Sequence, residues 1–179
     1  NLVESNWAQA QNGFAVLCTV RNQDGGAPWS TVEDVTFRLN HLRHSGSAVN
    51  VLGMDDRYPS QRVQRILIRN NLFADVDGAR WGGPGRLFQV LGGPADLSIE
   101  HNTAFHSGDA ISASGEPAAR FVFRDNLVFQ NMYGVGGDGT YGDPLATLTR
   151  YFPGGLFSGN IVVGAAARPQ PVPQPARTI

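Results

Sequence analysis

The chain has 179 residues, 41% of them hydrophobic, which suffices for one domain with a true core. A net charge of −1 leaves no electrostatic footprint for nucleic acid or an anionic membrane, and no apolar run reaches the ~18 residues of a spanning helix. All 14 basic residues are Arg, which excludes P-loop and Lys-based chemistry, and the single Cys18, in an apolar run, excludes an internal disulfide and reads as a buried thiol.

In chain order, short strand-like segments alternate with turns. The first is Ala15-Val16-Leu17-Cys18, followed by a long connection, 21–31, with Asp24 and Trp29. Val35-Thr36-Phe37-Arg38-Leu39-Asn40 comes next, then the short Leu42-Arg43-His44, then Ala48-Val49-Asn50-Val51-Leu52. A second long connection, 53–64, carries Asp55, Asp56, Arg57 and Tyr58 before Ile66-Leu67-Ile68-Arg69-Asn70-Asn71. An insertion at 77–85 holds Trp81 and leads to Leu87-Phe88-Gln89-Val90-Leu91. After a tight turn come Leu97-Ser98-Ile99-Glu100-His101-Asn102, Phe105-His106 and Ala110-Ile111-Ser112-Ala113-Ser114. Another tight turn precedes Phe121-Val122-Phe123-Arg124-Asp125-Asn126; a third long connection, 136–154, precedes Leu156-Phe157-Ser158-Gly159-Asn160. Gly (22) and Pro (11) are frequent and no 3.6-residue apolar stripe persists, so little helix is expected.

The matched asparagines Asn40, Asn71, Asn102, Asn126 and Asn160 lie 31, 31, 24 and 34 residues apart, a repeat with variable loops. Three short strands per repeat is the content of one β-helix coil, each strand pairing with its equivalent one coil on, at about 4.8 Å. The expected fold is all-β: a right-handed parallel β-helix of five to six coils over residues 1–166. Residues 167–179, Pro at alternate positions, should form an extended tail. Phe37, Ile68, Ile99, Phe123 and Phe157 should stack inside, as should Val49, Phe88 and Ile111. The repeated Asn should tolerate a left-handed corner and bond to its neighbours above and below in an Asn ladder. Because the chain begins within a repeat, the reading is a fragment whose uncapped coils could self-associate end to end.

At these residues the chain resembles the right-handed parallel β-helix superfamily that includes pectate lyases, and more narrowly secreted bacterial β-helix repeat proteins. The resemblance implies a secreted or cell-surface location and a substrate groove along the outer face of the sheet built by residues 48–52, 87–91 and 110–114. On that face Asn50, Gln89 and Ser112 form a polar column, flanked by outward Ala48, Leu52, Leu87, Leu91, Ala110 and Ser114. The calcium-binding lyases carry Asp or Glu there, and this chain does not.

Two borders of that face carry candidate chemistry. His44, Asp75 and His106, each four residues past a repeated Asn, should stack in neighbouring coils, where a carboxylate between imidazoles could orient a general acid or base or hold half a metal site. The long connections bring Asp24, Trp29, Asp55, Asp56, Arg57 and Tyr58 to the other border, where acids beside aromatic rings suit sugars. Asp56 with Asp24 is one conceivable carboxyl pair for glycoside hydrolysis. Trp81 should wall the groove or cover Leu87 and Leu91. Gly136-Gly137-Asp138-Gly139-Thr140-Tyr141 is similar to the GGxGxD calcium repeat but places Tyr141 where the Asp stands and occurs once, so no cofactor is evident and calcium is weakly supported. The sequence leaves two functions open. One is a polysaccharide-active or carbohydrate-binding domain, a lyase or glycoside hydrolase among them. The other is a non-catalytic structural, adhesion or assembly module.

Overall fold

The computed structural model describes residues 1–6, 8–9 and 11–164; the Pro-rich tail anticipated at 167–179 lies outside the described residues. Among the described residues, sixteen strands follow one another in threes. The first coil is β1 (Leu2–Glu4), β2 (Phe14–Thr19) and β3 (Glu33–Arg38); the second is β4 (His41–Ser45), β5 (Ser47–Leu52) and β6 (Gln64–Arg69). The third is β7 (Leu72–Val76), β8 (Phe88–Leu91) and β9 (Ala95–Glu100), and the fourth is β10 (Thr103–His106), β11 (Ile111–Ser114) and β12 (Val122–Arg124). The fifth is β13 (Leu127–Phe129), β14 (Val135–Gly137) and β15 (Leu156–Ser158), after which β16 (Ile161–Val163) begins another turn. Every third strand pairs in parallel, giving three sheets: β1-β4-β7-β10-β13-β16, β2-β5-β8-β11-β14 and β3-β6-β9-β12-β15. The chain is therefore an all-β parallel β-helix.

The register places like on like. Phe37, Ile68, Ile99, Phe123 and Phe157 align across the third sheet, and Val49, Phe88 and Ile111 across the second. These inward residues alternate with outward ones, as the two-residue strand period requires. Aromatic rings fill the third to fifth coils: Phe88 meets Phe73 edge-on at 5.6 Å, and Phe121 lies 4.3 Å from Phe152.

The corner between the third and first sheets is the most uniform part of the molecule. Nδ2 of Asn1, Asn40, Asn71, Asn102 and Asn126 each donates to Oδ1 of the asparagine one coil on, at 2.9–3.1 Å. The same Oδ1 also accepts the backbone N–H of the preceding coil's asparagine at 3.0 Å, for Asn40 through Asn126. The left-handed backbone expected of these asparagines belongs instead to the residue before each of them. Leu39, Asn70, His101, Asp125 and Gly159 have φ of +54° to +66°. The reason is hydrogen bonding: the asparagine must face inward to bond along the column, so its predecessor turns the corner.

Two short α-helices interrupt the coils among the described residues. α1 (Gly78–Trp81) is capped by Asp77, whose carboxylate accepts from the N–H of Ala79 and Arg80. α2 (Pro144–Tyr151) is capped by Asp143, has Pro at its first turn, and buries Thr147 and Tyr151 against β14 and β11.

Candidate functional site

The second sheet exposes less of its outer face than its sequence suggests. Leu17, Asn50, Gln89, Ser112 and Gly136 align in one column, and Gln89 donates to Asn50 Oδ1 at 3.2 Å while Arg86 donates to Gln89 Oε1 at 2.5 Å. Yet Gln89 is 8% exposed and Ser112 2%, and the Ser112 hydroxyl is shielded without a hydrogen-bond partner. The Tyr141 ring explains part of this closure. It lies so close over Gly136 that a β-carbon there would sit 2.4 Å from it. Tyr133 packs beside Tyr141 at 5.3 Å. The flanks expected to face outward, Ala48, Leu52, Leu87 and Ala110, are buried; Ala48, Leu87 and Ala110 belong to the core. Asp109, whose carboxylate accepts from the Tyr133 N–H at 3.1 Å, is held above the usual carboxylate range by burial. Neither Asp109 nor Arg86 is marked by the repeat, which is why the sequence pattern passed them over.

The first border breaks the expected column. His44 and Asp75 do meet, with Nε2 3.7 Å from Asp75 Oδ2, and Glu4 Oε2 lies 3.7 Å from the other ring nitrogen. His106 does not join them. His44 and Asp75 each take a left-handed φ, +53° and +54°, that inserts one extra residue before the sheet resumes; the fourth coil lacks that residue. His106 therefore pairs with Val76, which in turn pairs with Ser45, and it turns inward, leaving Phe105 exposed. Its imidazole is fully employed: Nδ1–H donates to Gly108 O at 2.9 Å and Nε2 accepts the Phe129 N–H at 3.1 Å. Burial pushes its pKa down to about 4.

Trp81 lies on this border and not over the groove. Its indole N–H donates to Asp75 at 3.0 Å and its ring lies 5.0 Å from that of His44, while Arg80 pairs with Asp75 and sits over the indole. The insertion can reach this position because Gly46 has no side chain: a β-carbon there would stand 1.9 Å from the Gly82 carbonyl oxygen. Asp75 thus binds α1 to the sheet, and a shallow recess of about 270 Å³ remains beside it, bounded by Phe105, His106 and Phe129.

The second border forms a cleft. Connections 20–32 and 53–63 converge around a space of about 560 Å³ lined by Arg21, Asn22, Gln23, Asp24, Asp55, Asp56, Arg57 and Tyr58. Asp55 builds it. Its carboxylate accepts from the backbone N–H of Asn22 at 2.6 Å, of Arg57 at 2.8 Å and of Tyr58 at 3.3 Å, and these bonds, with Arg21 nearby, hold it below the usual carboxylate range. Asn22, wholly buried, completes the clamp: Nδ2 donates to Pro59 O and Oδ1 accepts the Ala27 N–H, each at 2.5 Å. Asp56 pairs with Arg21 at the surface. Arg57 has no ion-pair partner among the described residues. The Tyr58 ring rests on Gly25 with 42% of the residue open to solvent, whereas Trp29, 71% exposed, lies outside the cleft lining. The Asn22-Gln23-Asp24-Gly25-Gly26 run marks the turn, but only the fold shows that Asn22, and Arg21 just before the run, bond to the second connection.

The candidate residues therefore fall into two groups. His44 and Asp75 enter the second sheet and Asp55 and Asp56 leave it, so the length of β5, roughly 20 Å at 3.3 Å per residue, separates them. Among the described residues no cluster of three His, Cys, Asp or Glu side chains is arranged to hold a metal ion. Comparisons of the chain with protein-family models, with curated proteins and with solved structures return no match.

Proposed function

We propose that this protein is a carbohydrate-binding parallel β-helix module, secreted or displayed at a cell surface, which holds an oligosaccharide in the cleft between connections 20–32 and 53–63. The observation that carries this reading is the Asp55 clamp, which fixes a half-exposed Tyr58 ring beside Arg57, Asp24 and Asp56 on a rigid scaffold. A flat ring offers stacking to the apolar face of a sugar, and charged groups around it exchange hydrogen bonds with hydroxyls. Preorganised loops lower the ordering cost of binding.

Binding is favoured over cleavage by the state of the carboxylates. Glycoside hydrolysis by paired acids needs one carboxyl kept protonated by its surroundings. Asp55 is pushed the opposite way and spends its oxygens on the backbone, and Asp56 spends one of its own on Arg21. The parallel coils are the feature shared with the pectate-lyase-like superfamily. The polar column Asn50, Gln89, Ser112, where its calcium-dependent members carry acids, separates this module from their chemistry. Titration calorimetry against a panel of neutral and acidic oligosaccharides tests the reading. Binding by the native protein and a loss of about tenfold or more in Tyr58→Ala are expected. No binding anywhere in the panel, or binding indifferent to both Tyr58→Ala and Arg57→Ala, overturns it.

A further inference from the structure

The outer face of the third sheet carries two columns of charge with opposite accounts. In one, Asp34, Arg65, Asp96 and Arg120 succeed each other coil by coil. Arg65 bonds both oxygens of Asp34 at 2.6 and 2.9 Å, and Arg120 bonds both oxygens of Asp96 at 2.5 and 2.6 Å. Every guanidinium there has a carboxylate. In the other column Arg38, Arg69, Glu100 and Arg124 are in register across β3, β6, β9 and β12. Glu100, buried to 6% exposure, accepts the Arg124 Nε–H at Oε2 over 2.6 Å. Arg69 comes no closer to it than 3.7 Å, and the Arg69 Nε–H is shielded from solvent without an acceptor. Arg38 has neither a hydrogen bond nor an ion pair among the described residues.

Two arginines thus stand directly opposite one another on paired strands with no anion between them. Like charges in that position destabilise a sheet, and a desolvated donor without an acceptor adds to the cost. An oxyanion between the two guanidiniums removes both penalties, because each fork offers paired N–H groups to planar or tetrahedral oxygens.

We infer that Arg38 and Arg69 form an oxyanion-binding site, distinct from the Tyr58 cleft, which takes a single sulfate or carboxylate group carried by an acidic polysaccharide. The size of the positive patch argues for this occupant. The next position in the same column is Glu100, and the other column holds Asp34, Arg65, Asp96 and Arg120 in closed pairs, so a duplex or an anionic membrane, which presents phosphates in close succession, would meet only a carboxylate or already paired arginines in those columns. A polysaccharide with spaced anionic groups meets only the arginine pair. This inference extends the saccharide reading to a second face but stands on different residues.

The test follows the Arg Nε–H resonances by NMR during titration with sodium sulfate, against sodium chloride at equal ionic strength. The expected result is a saturable shift of the Arg69 Nε–H that sulfate produces and chloride does not. Arg38→Gln should weaken it at least tenfold, and Arg120→Gln and Tyr58→Ala should leave it unchanged. In parallel, the native protein should be retained on immobilised chondroitin sulfate and Arg38→Gln/Arg69→Gln should elute early. A shift that is linear in salt, or one weakened equally by Arg120→Gln, overturns the site. Saturation by sulfate without retention on the glycan overturns the assigned partner. Loss of cleft binding in Tyr58→Ala with sulfate binding intact separates the two readings.

Discussion

Replacing Asn71 by Ala tests what holds one coil to the next. Asn71 is 3% exposed and its side chain makes four hydrogen bonds. Oδ1 accepts from the N–H and Nδ2 of Asn40, and Nδ2 donates to Asn102 Oδ1 and to Phe37 O. The substitution leaves the Asn40 donors without an acceptor at a sealed corner, where each orphaned group costs about 1–3 kcal/mol and each intact bond contributes about 1 kcal/mol net. Allowing for partial relaxation, the expected loss is about 3–5 kcal/mol. For a domain of this size that lowers Tm by about 10 °C. Asn160, at the open end of the column and partly exposed, makes three such bonds, so Asn160→Ala should cost about half as much. Urea unfolding at 25 °C, with the exposed Met132→Ala as control, measures all three. A loss below about 1 kcal/mol for Asn71→Ala, or equal losses at Asn71 and Asn160, would refute the claim that the column fastens the coils.

Two further outcomes follow from the same geometry. His106 is neutral in the fold, and burial holds its pKa at about 4, below the unfolded value of about 6.5. A depressed base contributes stability that is fully present above the unfolded pKa and lost as pH falls through the window from 6.5 to 4. The protein should therefore lose about 2 kcal/mol between pH 7 and pH 5 through this residue alone. Urea unfolding of the native chain and His106→Gln at both pH values isolates the effect; an unchanged pH dependence in the variant would sink it. Asp55→Ala should free connections 20–32 and 53–63 without unravelling the coils. Trypsin should then cut after Arg57 about ten times faster while the far-UV spectrum stays native, because flexible segments without their backbone acceptor become protease substrates. Equal cleavage rates would mean that Asp55 is not the clamp.

The fold was legible because its signal is periodic. Strand positions, the inward stacks through Phe37 and Val49, and the corner asparagines all repeat, and a repeat can be read without knowing any contact. What escaped was whatever departs from the period. One missing residue before His106 reverses its direction, and a sequence offset counted from the asparagine cannot register a left-handed insertion at His44 and Asp75. The buried flanks Ala48, Leu87 and Ala110 were misread for a related reason: at the ends of short strands the chain is already turning, so strict alternation fails. α2 announces itself only through Asp143-Pro144 and a few spaced apolar residues inside a Gly-rich stretch. The cleft residues Asp55, Asp56, Arg57 and Tyr58 were nameable as loop chemistry, but the division of labour among them, with Asp55 as fastener and Tyr58 as surface, depends on which carboxylate finds the backbone N–H groups.

The asparagine corner and the connections after the second sheet sit at opposite ends of each coil's third strand. That separation makes the scaffold modular. Register is locked at one corner by bonds that never change. At the other, the chain closes the coil with the three residues Gly92, Gly93 and Pro94 or makes a long excursion containing α2, and the strands beyond resume in phase either way. Segments of different length and composition can therefore be exchanged between coils at that end without re-indexing the core, so these connections are replaceable parts mounted on a fixed ruler.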